Sequence, residues 1–222
     1  MHIIVNFFKQ TFINMVKYFT NFFKGKKVDK RSKKSESILD AALLLFSNNG
    51  FYSTTIPDIA RAMGMSVGNI YNYFASKEVL AKEIIKYSSN ILGAEIRKVN
   101  ETDCSVKEKI RQIVALYFEM ASTKPQHINY FLRVYLANRE VFKDGCEGML
   151  CVSAFVTELM IFFEEGVACG ELRNQDFFSA FGLFMGYLGG FVFLNGENVL
   201  DKDINYYVDD IALNIYNALK QQ

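Results

Sequence analysis

Proline is nearly missing from this chain: Pro57 and Pro125 are the two present in 222 residues. So few breakers, combined with long apolar-periodic stretches, exclude most sheet and loop-rich architectures and predict an all-α protein. Histidine is equally scarce, at His2 and His127, and the four cysteines, Cys104, Cys146, Cys151 and Cys169, contain no CxxC pair. That removes the usual zinc and redox signatures. No nucleophile–base spacing replaces them, so the sequence predicts no catalytic site, no metal and no cofactor. With no secretory signal, the cysteines read as reduced and buried in a cytoplasmic protein. Half of the residues are hydrophobic, enough for one or two globular domains with a sizeable core.

Net charge is also nearly absent, at +1, but it is unevenly distributed. Residues 1–34 carry +8, residues 35–82 carry −1 and residues 83–222 carry −6. The positive charge is concentrated in KGKKVDKRSKK, from Lys24 to Lys34. Such a run is either a solvated tail or an electrostatic footprint for phosphate, and the segment that follows favours the second.

That segment, SESILDAALLLFSNNG, has Ile38, Ala41, Ala42, Leu45 and Phe46 at helical spacing, with Gly50 placed to stop the helix. In FYSTTIPDIARAMG, Thr55 is a good N-cap, Pro57 fits a first helical turn and Asp58 suits the positive helix end. Gly64 ends that short helix. Ser66 then caps VGNIYNYF, and Ser76 caps KEVLAKEIIKYSSNIL. A longer helix followed by two short ones across a tight turn is a helix-turn-helix, with the second short helix in the recognition position.

The stretch ILDAALLLFSNNGFYSTTIPDIARAMGMSVGNIYNYFASKEVL resembles the DNA-binding domain of the TetR/AcrR family of transcriptional regulators. Three patterns carry the resemblance: A-x-x-L-F before G-F, T-T-x-x-x-I-A-x-x-x-G-x-S, and Y-x-Y-F-x-S-K-E-x-L. It implies three parts. Residues 1–34 form an N-terminal extension with a basic arm, 35–82 a DNA-binding domain, and 83–222 a helical effector-binding and dimerisation domain.

The polar face of VGNIYNYF is uncharged and hydrogen-bonding or aromatic, as base edges and sugars require. Gly68 lets the helix approach DNA closely. Val67, Asn69, Tyr71 and Asn72 face bases or the adjacent backbone, and Ile70 and Phe74 pack inward. In the family, the positions of Tyr73 and Lys77 usually hold phosphate. Thr54, Thr55 and Ser66 offer hydroxyls and helix-terminal amides to phosphate. Because residues 35–82 are net negative, Arg31, Lys33 and Lys34 are the expected arm contacts to double-stranded DNA.

Residues 1–23 place ten aromatic and aliphatic side chains at three- and four-residue spacing, an amphipathic helix with an aromatic face. Three readings stay open: packing on the protein or its dimer mate, contact with a membrane interface, or a natural start at Met15. The second makes a membrane-associated sensor the alternative function.

The remaining chain reads as further helices. Phe177 to Gly196 lacks charge over about the length of a membrane span. Its glycines, Gly182, Gly186, Gly189 and Gly190, favour close helix packing instead. In the family the last two long helices form a homodimer interface. The same region is expected to hold an apolar small-molecule effector. The candidate walls are Tyr117, Phe118, Phe131, Tyr135, Phe155, Phe162, Phe181 and Met185. The candidate orienting groups are His127, Asn129, Arg133 and Asn138.

Overall fold

The computed structural model describes residues 33–143 and 150–221, which are helical with no β-strand among them apart from one isolated bridge, Leu172 to Lys220. The readings that fall on Arg31, on residues 1–23 and on most of the basic run lie outside the described residues. Residues from Ser37 onward form one compact unit.

The first three helices are α1 (Lys33–Asn49), α2 (Ile56–Ala62) and α3 (Val67–Tyr71). Helix α1 turns Ile38, Leu39, Ala42, Leu43 and Phe46 inward. The apolar stripe is therefore rotated from the expected one: Ala41 and Leu45 are half-buried, and Leu39 and Leu43 take core places. Gly50 stops α1 at φ +83° and Gly64 ends α2 at φ +59°. This left-handed backbone strains any side chain larger than glycine's hydrogen. Helix α2 is closed by a reciprocal capping box between Thr55 and Asp58.

Helix α4 (Lys77–Asn100) is continuous for 24 residues, so the expected domain boundary at 82–83 falls inside a helix. It carries Leu80 and Ala81, in the core of the head formed with α1–α3, at one end, and Ile96 and Val99, in the core of the body formed with the helices that follow, at the other. Helix α5 (Val106–Thr123) buries Ile110, Val114, Tyr117 and Ala121 at three- and four-residue spacing. Next come α6 (Pro125–Asn129) and a π-helical turn, Tyr130–Tyr135. Helices α7 (Ser153–Ala168), α8 (Phe177–Gly196) and α9 (Val208–Leu219) complete the body.

Helices α4 and α7 form the most extensive contact of the body, and α9 lies along α5. The α4–α7 crossing is tight: a Cβ on Gly93 would lie 2.9 Å from the backbone C and O of Ala154. Below it, Arg97 and Asn100 grip the buried Glu158 carboxylate, with Arg97 Nη2 at 2.6 Å and Asn100 Nδ2 at 3.2 Å.

The cysteines correct one expectation. Cys151 is disulfide-bonded, whereas Cys104 and Cys169 are free thiols and Cys169 is exposed. Cysteine pairs other than CxxC carry no fixed spacing signature, so the sequence offered no sign of this bond.

Candidate nucleic-acid interface

The head is held together by local hydrogen bonds that its sequence encodes. Thr55 N–H donates to Asp58 Oδ2 at 3.0 Å, and Asp58 N–H donates back to Thr55 Oγ1 at 3.3 Å. The Thr55 hydroxyl donates to the same carboxylate at 2.5 Å, and these bonds hold the Asp58 carboxyl below the usual carboxylate range. Ser66 Oγ accepts from Asn69 N–H at 3.3 Å, which starts α3. Ser76 Oγ accepts from Val79 N–H at 3.1 Å, which starts α4.

These caps fix which face of α3 is outward. Ile70 is fully buried and Phe74 nearly so, which anchors the helix to the head's core. Val67, Gly68, Asn69, Tyr71, Asn72 and Tyr73 are all exposed. The side chains of Asn69, Tyr71, Asn72 and Tyr73 make no hydrogen bond to any described residue. A Cβ on Gly68 would meet nothing within 4 Å, so its missing side chain serves no packing need inside the protein. The result is a convex ridge of uncharged donors, acceptors and aromatic faces, the set needed to read base edges. Lys33 and Lys34 are exposed at the start of α1.

Of the expected phosphate ligands, Thr54 turns inward, and half-exposed Lys77 gives two of its three ammonium hydrogens to backbone carbonyls. Thr54 is 1% exposed, and its hydroxyl hydrogen-bonds the carbonyls of Gly50 at 2.9 Å and Leu45 at 3.3 Å. Its neighbour Thr55 takes the capping role instead. Lys77 Nζ donates to the carbonyls of Phe51 at 2.8 Å and Thr54 at 2.9 Å and sits 4.3 Å over the Phe51 ring. Its ammonium therefore closes the α1–α2 turn onto the start of α4. Both placements have one cause: a turn that doubles back leaves carbonyls that need donors, and these side chains are the nearest.

Behind the head, α4, α5, α6 and α7 enclose a cavity of about 40 Å³. Its wall is apolar except for Ser88, Ser89, His127 and the phenol of Tyr117. Ser88 Oγ lies 2.8 Å from His127 Nδ1, and Ser89 Oγ accepts from Phe155 N–H at 3.3 Å. Burial lowers the His127 pKa, against an opposing pull from Asp40, so the imidazole is neutral near pH 7. Burial pushes the Tyr117 phenol well above its usual range. A second void of about 10 Å³ shares Leu92, Tyr117, Phe155 and Met185 with the first.

The profile of the tetR family of bacterial regulatory proteins matches residues 38–84, from α1 into α4. The match extends into the body: the HTH-type transcriptional regulator RutR of Escherichia coli K12 is 30% identical over 152 residues, 68% of this chain and 70% of RutR. The chain belongs to the TetR family. The HTH-type transcriptional repressor KstR2 of Rhodococcus jostii is 29% identical over 89 residues, 40% of this chain and 44% of KstR2. Among solved structures, the fatty acid degradation regulator FadR of Bacillus halodurans superposes with a TM-score of 0.72 at 20% identity, covering 85% of this chain and 97% of FadR. FadR of Bacillus subtilis, solved with stearoyl-CoA, gives 0.68 at 18% identity over 81% and 96% of the two chains. At those identities the likeness establishes the TetR fold.

Within that fold the expected effector residues divide. Tyr117, His127, Phe131, Phe155 and Met185 line the cavity. Phe118 faces Phe191 of α8, and Arg133 points to solvent. Tyr135 packs between Phe131 and Phe142, Phe162 against Phe163 and Phe184, and Phe181 between Phe155 and Phe177. These five lie off the cavity, because helical spacing fixes a residue's face and not which neighbour fills it. Ser88 and Ser89 were missed. Two serines inside the apolar stripe of α4 were the available signal, since buried hydroxyls need partners.

Proposed function

We propose that this TetR-family chain is a cytoplasmic homodimeric repressor that binds a palindromic operator and is released by a small effector. The observation that carries the reading is the outward face of α3, whose uncharged hydrogen-bonding side chains have no partner among the described residues. In the major groove, Asn69 and Asn72 are suited to adenine edges, Val67 and Tyr71 to apolar contact, and Tyr73 to phosphate or sugar. Thr55 and Ser66 contribute through the helix starts they cap. Lys33, Lys34 and Arg31 extend the phosphate contact along the arm.

For the dimer, α8 offers a solvent-facing ridge of Gly182, Gly186 and Gly190 flanked by Phe178 at 61% and Phe193 at 62% exposure. A Cβ on any of these glycines would meet nothing within 4 Å, so a partner helix can approach closely. By length and composition α8 also passes as a membrane span. Its opposite face is engaged within the body, through buried Phe184 and Leu188 and a 2.9 Å hydrogen bond between Asn214 and Tyr187. This favours a protein partner.

Two connections link the cavity to the head. Helix α4 runs unbroken from Lys77 to the cavity residues Ser88, Ser89 and Leu92. Helix α6 presents His127 and Ile128 to the cavity, while Gln126 O lies 2.9 Å from Ser47 Oγ of α1. Beside it, Tyr130 donates to Ala81 O at 2.9 Å. An effector that favours one placement of these helices shifts the separation of the two recognition helices, by no more than its differential affinity allows. That FadR of Bacillus subtilis was solved with stearoyl-CoA supports an apolar effector here by analogy of fold.

The test is sequencing of DNA bound in cells, followed by footprinting with purified protein. The expected footprint is two related half-sites one helical turn apart, about 34–36 Å. Enrichment of a lone half-site, or of none, refutes the reading.

A further inference from the structure

The cavity contains a polar group that the folded chain leaves without a partner. Tyr117 is 4% exposed and lines both voids, yet its hydroxyl makes no hydrogen bond to any described residue. The hydroxyl faces the void, so its hydrogen bond is left for whatever occupies that space. Tyr130, the comparable buried tyrosine nearby, donates to Ala81 O.

A second unpaired group lies on the same wall. His127 is buried, and its recorded hydrogen bond joins Nδ1 to Ser88 Oγ. Ser88 has no other hydrogen-bond partner among the described residues. In the tautomer where the Ser88 hydroxyl donates, Nδ1 accepts. That assignment puts the imidazole hydrogen on Nε2, where it makes no hydrogen bond to any described residue. Two neutral donors, Tyr117 O–H and His127 Nε2–H, thus border one otherwise apolar space.

We propose that the cavity takes an uncharged carbonyl compound with a compact apolar body, such as a ketone, amide or lactone. Its oxygen accepts from the Tyr117 hydroxyl, with His127 Nε2–H as the second donor. This rests on the reading of the cavity as the effector site and names the chemistry recognised there.

Alternatives fail on the same observations. No lysine or arginine lines the cavity, and burial keeps His127 neutral, so a carboxylate would enter as an unpaired buried charge. An ammonium would likewise be an unpaired buried charge, since no carboxylate lines the cavity. A hydrocarbon would leave Tyr117 as it stands. The present volume admits little more than a water molecule or two, so binding must enlarge it. Met120 and Met185 in the wall are the flexible side chains able to yield.

The test uses probes that share one ring: acetophenone, benzamide, benzoate and toluene. Each is titrated calorimetrically into the full-length protein and into Tyr117→Phe. In the wild type, acetophenone or benzamide should bind about tenfold tighter than toluene, and benzoate weaker than either. Tyr117→Phe removes one oxygen and no packing volume. It should abolish most of that tenfold preference while binding toluene at least as well as the wild type, which also shows that the variant is folded. Toluene binding as tightly as the carbonyl probes, benzoate binding tightest, no carbonyl probe binding, or an undiminished preference in Tyr117→Phe would each overturn the proposal. Operator affinity measured with the same probes separates the two readings. A Tyr117-dependent carbonyl preference with no operator release upholds the cavity chemistry and sinks the effector role. Operator release by probes that ignore Tyr117 does the reverse.

Discussion

Replacing Lys77 with methionine should lower stability and leave the salt dependence of DNA binding intact. The substitution keeps the apolar stem and removes the ammonium. Lost with it are two charge-assisted hydrogen bonds, at 2.8 Å to Phe51 O and 2.9 Å to Thr54 O, and the contact 4.3 Å above the Phe51 ring. Such bonds are worth about 1.5–3 kcal/mol each at full value. Lys77 is half-exposed, so water re-solvates part of what is lost, and about 1 kcal/mol per bond is the appropriate figure. The cation–π contact adds about 0.5–1 kcal/mol. The expected loss is about 2–3 kcal/mol, or about 5–10 °C in Tm for a chain of this size. Calorimetric melting and urea unfolding measure it. Operator affinity across a salt series supplies the contrast. If Lys77 instead bound phosphate, a dimer would lose two contacts and its log–log slope would become shallower by about two units. A shallower slope with unchanged Tm would refute the structural role.

Asn69→Ala should cost about 1–3 kcal/mol on the operator and far less on random duplex; equal losses on both in a competition assay would remove Asn69 from base reading. Gly186→Leu should leave the helical spectrum intact, since its Cβ has open space, but force protomers apart in sedimentation at micromolar concentration; an unchanged dimer would place the interface elsewhere. His127 has a lowered folded pKa, so the unfolded chain binds its proton more readily. Stability should therefore fall as pH drops below about 6.5 and through the folded value. His127→Gln should flatten that dependence in urea titrations, and an unchanged profile would assign it to other groups. Deleting residues 1–32 leaves α1 whole and removes Arg31 of the three expected arm contacts, so the salt slope should become shallower by about two units for the dimer, with sequence preference retained; an unchanged slope would take Arg31 out of phosphate contact.

The head was legible because its determinants are local. Thr55 with Asp58, Ser66, Ser76, Gly50 and Gly64 each act on backbone within four residues, so their spacing shows in the sequence. The Lys77 contacts were not legible because they come from a turn 23 and 26 residues away, whereas Thr54 bonds the Gly50 carbonyl four residues back, a local alternative open to any Ser or Thr. The cavity was half legible. Tyr117 and Phe118 are adjacent on one helix and both buried, yet one borders the void and the other meets Phe191. That choice depends on how α8 lies against α5, which follows from the whole body's packing. Gly93 stands inside α4 with no sequence hint that Ala154 presses against it.

The contacts between α1 and α6 bear on how such regulators can be recombined. The Phe46 and Tyr130 rings meet at a tilt with centroids 6.2 Å apart, Ser47 meets Gln126, and Tyr130 reaches Ala81. Head and body thus share side chains and have no linker between them. A hybrid made by fusing another regulator's head at α4 would inherit foreign residues at three seams at once. Unless Phe46, Ser47 and Ala81 travel with the body, the graft should recognise its operator and ignore its effector.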